Sequence, residues 1–149
     1  MSKKIIILIY LIFFISCNNK KEITKICLQS YNGGKLGSYS KLEISKNQTY
    51  YVLGDSKSKK DFREKTTDKL WKDLTNNINI NDFLKVKSYP GRVEYDGTDE
   101  TISISYGDKS LSIVNGEADT LSYKKLKKFS LIIEKKETDM FNLVIAQKK

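Results

Sequence analysis

The chain has 149 residues and a formal charge of +9, with 27 Lys and Arg against 18 Asp and Glu, and it contains no histidine. Without an imidazole there is no Ser-His-Asp or Cys-His catalysis, no histidine metal ligation and no histidine pH switch. The length suits one domain with a single core.

The first feature in chain order is Lys3 and Lys4, then an apolar run from Ile5 to Ile15, then Ser16 and Cys17. A positive start followed by an apolar stretch shorter than the ~20 residues of a membrane span has the layout of a secretory signal. Phe14, Ile15, Ser16 and Cys17 resemble the lipobox of bacterial lipoproteins, with Phe14 where an aliphatic residue is usual. The resemblance implies that residues 1–16 are a signal peptide cut before Cys17, and that the Cys17 thiol carries a diacylglycerol. The new amino group is often acylated as well. Each buried methylene contributes ~0.8 kcal/mol, so two or three chains form a stable anchor without a transmembrane helix. A plain secretory signal cut near Ser16, or an uncleaved signal anchor, is the alternative.

Residues 17–22 form a polar tether through Asn18, Asn19, Lys20, Lys21 and Glu22. An aspartate directly after the cysteine resembles an inner-membrane retention signal, so Asn18 in its place points to the outer membrane, and the mixed Lys and Glu stretch resembles the surface-export signals of Bacteroidetes-type lipoproteins, which implies a periplasmic or surface-facing domain. A lipidated Cys17 leaves Cys27 without a disulfide partner in the chain. Cys27 itself lies in a strand-like run and is expected as a small buried apolar residue. The basic balance survives loss of Lys3 and Lys4. In an envelope its counterpart would be a polyanion such as anionic lipid or lipopolysaccharide, or an acidic protein, and no nucleic acid is expected. The joint abundance of Lys, Asn and Ile also fits an A/T-rich coding sequence, which would supply positive charge without a partner.

Residues 23–149 read as a single small α+β domain. Ile23 to Gln29 is a first strand, ended by the glycines at 33 and 34. Ser38 to Ile44 and Thr49 to Leu53 alternate as an antiparallel hairpin, and Gly54 to Lys65 is expected as a polar loop. Thr66 or Thr67 caps a helix whose stripe is Leu70, Trp71, Leu74 and Ile78. Ile80, Phe83, Leu84 and Val86 continue toward the core, and a turn follows from Ser88 to Gly91. Thr101 to Tyr106 and Lys109 to Val114 form the clearest hairpin, turning at Gly107 and Asp108. Ser122 begins a second helix with Leu126, Phe129, Ile132 and Ile133 inward and lysines 124, 125, 127 and 128 outward. Phe141 to Ala146 is expected as a closing strand. The predicted architecture is thus an antiparallel sheet of about five to six strands with two helices packed on one face: strand, hairpin, helix, hairpin, helix, strand.

Chemistry-bearing patterns are sparse. Glu94, Asp96, Asp99 and Glu100 form the densest acidic cluster, but their spacing does not match a calcium-binding EF-hand loop, and a polar turn is preferred. Two of these carboxylates could in principle support glycoside hydrolysis. There is no phosphate-binding glycine loop, and the pattern calls for no cofactor, metal or catalytic group. Asp119, Thr120 and Leu121 resemble the Asp-Thr-aliphatic O-glycosylation site of Bacteroidetes periplasmic proteins, which would place a glycan on Thr120; helix entry is the plainer reading. The loop Gly33, Gly34, Lys35, Leu36, Gly37, the central helix, Asp99 before the hairpin at Thr101, and the helix bearing Leu121 and Leu126 resemble emfourin-type inhibitors of thermolysin-like metallopeptidases. That resemblance spans most of residues 23–135. It implies protease inhibition, with the Gly33 to Gly37 loop as the first segment to test. The leading expectation is a non-enzymatic, lipid-anchored envelope protein with a binding or accessory domain; inhibition, then carboxylate-based hydrolysis, are the alternatives.

Overall fold

The computed structural model describes residues 22–34 and 37–146. Cys17, the signal segment, and Lys35 and Leu36 lie outside the described residues. The fold is α+β. Six antiparallel strands, β1 (Ile23–Asn32), β2 (Ser38–Ser45), β3 (Gln48–Gly54), β4 (Lys59–Lys65), β5 (Thr98–Tyr106) and β6 (Lys109–Val114), form one sheet in the order β4-β3-β2-β1-β5-β6. The helices are α1 (Asp68–Asn76), α2 (Ile80–Phe83) and α3 (Lys127–Ala146), with 3-10 turns at Arg92–Tyr95, Gly116–Ala118 and Tyr123–Leu126.

Alternation along the strands sends Ile26, Leu28, Leu42, Ile44, Tyr51, Ile102, Ile104 and Ile113 to one face, where they meet Leu74, Phe83, Leu126, Phe129, Ile133, Met140 and Val144. This is the core, and the helices cover that face. On the opposite face the register lines up Arg63, Tyr50, Glu43, Cys27, Ser103 and Ser112 across all six strands. Arg63 there stacks its guanidinium 4.6 Å from the Tyr50 ring centroid. Of the two threonines expected as candidates, Thr67 caps α1 by accepting the Leu70 N–H. Among the described residues no helix is long and apolar enough to cross a membrane.

Four expectations are corrected. Gly54 to Lys65 is not a loop throughout, because Lys59–Lys65 is strand β4, paired along β3 from Gly54↔Lys59 to Gln48↔Lys65. Six of its seven residues are charged, so hydropathy does not reveal it. The turn before it is closed by Asp55, whose Oδ1 accepts the Lys57 and Ser58 N–H groups at 2.7 Å. Charges along an edge strand also discourage pairing with another chain.

Phe141 to Ala146 is not a closing strand but the end of α3. Phe129, Ile133, Met140 and Val144 make one buried stripe at helical spacing, interrupted where Lys136 and Glu137 occupy the inward turn. Both polar residues have partners on the sheet: Lys136 Nζ donates to Glu64 at 2.5 Å, and Glu137 accepts from Ser40 Oγ at 2.6 Å. The second helix does not start at Ser122, since Tyr123–Leu126 is a 3-10 turn and α3 begins at Lys127. Finally, Cys27 is half-buried on the polar outer face rather than within the core. Burial pushes its thiol above the ordinary cysteine range, the opposite of activation.

Candidate functional site

Side chains converge most densely where β5 begins. Asn115, fully buried after β6, takes the left-handed backbone conformation at φ 48, which asparagine tolerates better than most residues. Its Nδ2 donates to the Tyr89 carbonyl at 2.7 Å and to Asp99 Oδ1 at 2.6 Å. Its Oδ1 accepts the Glu100 N–H at 2.8 Å, and its own N–H donates to the Glu100 carbonyl at 2.7 Å. Asp99 in turn accepts the Gly91 and Arg92 N–H groups at 3.1 and 3.0 Å. The Asn115 hydrogen bond, reinforced by those two donors and Arg92 against the cost of burial, holds the Asp99 carboxyl below the usual range. Asp99 is therefore committed to holding the 3-10 turn at Arg92 against β5.

Glu100, one residue on, faces a cleft of about 750 Å³ between β5, the turns and the first half of α3. Arg92, Glu117, Tyr123 and Lys124 line it from the turns, and Lys127, Ser130, Leu131 and Glu134 from α3. Arg92 Nη1 donates to Glu117 at 2.6 Å, so the nearest cation is already engaged. Burial, with added repulsion from Glu117, Glu134 and Glu137 that outweighs Arg92, pushes the Glu100 carboxyl up to about 7.

A carboxyl raised from 4.5 to about 7 on folding binds more proton in the folded chain than in the unfolded chain across that interval. Its contribution is therefore intact below pH ~4.5 and lost as the pH rises through ~7. For a group on an open, solvent-screened cleft the cost amounts to about 1–2 kcal/mol. Glu100→Gln is expected to raise the melting temperature at pH 8 and to leave it nearly unchanged at pH 4.5. Calorimetry at the two pH values checks this, and a pH-independent effect would contradict it.

The other sequence candidates disperse. Of the acidic cluster, Asp96 adopts φ 59 at the end of the 3-10 turn, Glu94 is exposed, and only Glu100 lines the cleft. Gly33 is fixed by contact, since a Cβ there would lie 2.4 Å from the Val93 carbonyl oxygen, and its N–H donates to the Gly97 carbonyl at 3.0 Å. Gly34 and Gly37 take φ values of +92 and +29. Thr120 is exposed in the turn that Asp119 organises, whose carboxylate accepts the Lys87 and Ser122 N–H groups at 3.1 Å each. Thr120, Lys124 and Lys127 lie on the rim of the Glu100 cleft, while Lys125 pairs with Asp82 at 3.4 Å.

Glu100 escaped sequence reading as a cleft residue, although the signal was present. It continues the inward alternation Ile104, Ile102 by one further step, which puts a carboxylate on the apolar face of a strand. Among the described residues, no three His, Cys, Asp or Glu side chains are grouped to hold a metal ion. A scan of protein-family models and a search of curated proteins find no match to the chain.

Proposed function

We propose that the chain is a lipid-anchored envelope protein of the bacterial outer membrane, held through Cys17, whose α+β domain is a binding module. The observation that carries the anchoring is the succession Lys3, Lys4, the apolar run to Ile15, Ser16 and Cys17. The binding half is supported by the Glu100 cleft, a concave site beside a structural clamp rather than a nucleophile and base pair. Cells grown with radiolabelled palmitate are expected to label the protein, and Cys17→Ala is expected to abolish the label. Absence of label in the wild type, or its persistence in Cys17→Ala, refutes the anchor.

One observation favours a second reading, a carboxylate-based hydrolase: Glu100 titrates near neutrality within a cleft that also holds Glu117 and Glu134. A glycoside panel separates the two. Turnover that Glu100→Gln abolishes supports the hydrolase, and no turnover supports the binding module.

A further inference from the structure

The Glu100 cleft carries as many acids as cations, and most of them do not meet. Arg92 and Glu117 cancel each other at 2.6 Å. The other charged residues on its lining are Glu100, Glu134, Lys124 and Lys127, and none of these four forms an ion pair among the described residues. Two acids and two lysines therefore share about 750 Å³ without neutralising one another.

Their places in the fold keep them apart. Lys127, Ser130, Leu131 and Glu134 follow one another at helical spacing along the α3 wall. Seven residues of helix set the lysine and the glutamate about 10 Å apart along that wall. Lys124, three residues before Lys127 in the 3-10 turn, stands at the lysine end. Glu100 belongs to the other end. The acids that repel it are Glu117, already held by Arg92, and Glu134 and Glu137, the last one turn further along α3. Between the two ends Leu131 is 52% exposed and offers apolar surface.

We infer that the cleft binds a short peptide of about three residues with both termini free, its ammonium at Glu100 and Glu134, its carboxylate at Lys124 and Lys127, and an apolar central side chain over Leu131. Three residues of extended chain span about 10 Å, the separation of the two ends. The volume is that of a small-molecule site. Each terminus brings the counter-charge that the lining lacks, in charge-assisted hydrogen bonds. A ligand charged in one sense only would satisfy one end and set like charges together at the other. The inference rests on reading the domain as a binding module and adds the ligand's chemistry.

The test is titration calorimetry of the full-length chain in detergent at pH 7 with the tripeptide Ala-Leu-Ala, compared with its N-acetylated and C-amidated forms. The free tripeptide is expected to bind, and each cap to weaken it by about tenfold. Two double variants locate the ends. Glu100→Gln with Glu134→Gln is expected to erase the penalty of acetylation and keep that of amidation. Lys124→Gln with Lys127→Gln is expected to do the reverse, and melting of each variant shows that it is folded. No binding of the free tripeptide, equal binding of the capped forms, or penalties that survive in both folded variants overturns the proposal. Palmitate labelling of the same protein depends on none of these residues. Absent peptide binding with retained label therefore refutes the peptide site and not the anchor, while hydrolysis of glycosides refutes the binding-module reading itself.

Discussion

Asn115→Ala is expected to destabilise the protein by about 3 kcal/mol, which for a chain of this length lowers the melting temperature by about 6–12 °C. Two costs combine. Removing the amide leaves the Tyr89 carbonyl, Asp99 Oδ1 and the Glu100 N–H without the partner that Asn115 supplies to each. A buried group left without its partner costs about 1–3 kcal/mol. Alanine must also adopt the left-handed backbone at φ 48, for about 1 kcal/mol more. Asn115→Gly separates these terms, because glycine takes that backbone freely but restores no hydrogen bond. It should recover about 1 kcal/mol relative to alanine. Asn115→Asp should be at least as damaging as alanine, because it sets a second carboxylate against Asp99. Denaturant melts of the three variants decide the matter, and equal stability of alanine and wild type would show that the clamp is not structural.

Phe129→Ala is expected to cost about 3–5 kcal/mol. Phe129 is fully buried on α3, within the cluster that joins that helix to the sheet, so truncation removes apolar contact and leaves a cavity. Leu131, two residues on, is 52% exposed, and Leu131→Ala should change stability by less than about 0.5 kcal/mol. The pair tests the facing of the helix with side chains of similar character. Comparable losses from both would mean that α3 packs through a different stripe.

The parts of the fold that were legible were those where one pattern governed a whole element. The hairpin of β5 and β6 alternates cleanly through Ile102, Ile104, Leu111 and Ile113, and Thr67 stands at the head of a stripe containing Leu70 and Leu74. Reading failed where a pattern was interrupted for tertiary reasons. β4 is held by its ladder to β3 while its side chains face solvent on either side of Phe62, so no periodicity of hydropathy marks it. The end of α3 reads as a strand because Phe141, Val144 and Ile145 favour strands locally, whereas the continuity of the helix depends on Met140 and Val144 meeting the same core as Ile133. The candidate site was half legible. The acidic stretch around Glu100 stood out, but the assignment of Asp99 to a clamp and Glu100 to a cleft depends on Asn115, which is distant in sequence and joins them only through the pairing of β5 with β6.

The place of β1 in the sheet bears on how the chain acquires its shape. Hairpin turns join β1 through β4 in succession, so this meander can assemble while the remainder of the chain is still being made. The other side of β1 must wait for β5, whose pairing Asn32↔Thr98 closes a loop of 66 residues. Closing such a loop costs about 2–3 kcal/mol more than closing a short hairpin, and contacts of this span slow folding. Until then Ile26 and Leu28 stand at a vacant lateral border with unpaired backbone groups, which makes the half-finished meander the species most prone to capture by another chain. Finished, the molecule hides that border in the middle of the sheet and presents the charged β4 at one margin instead.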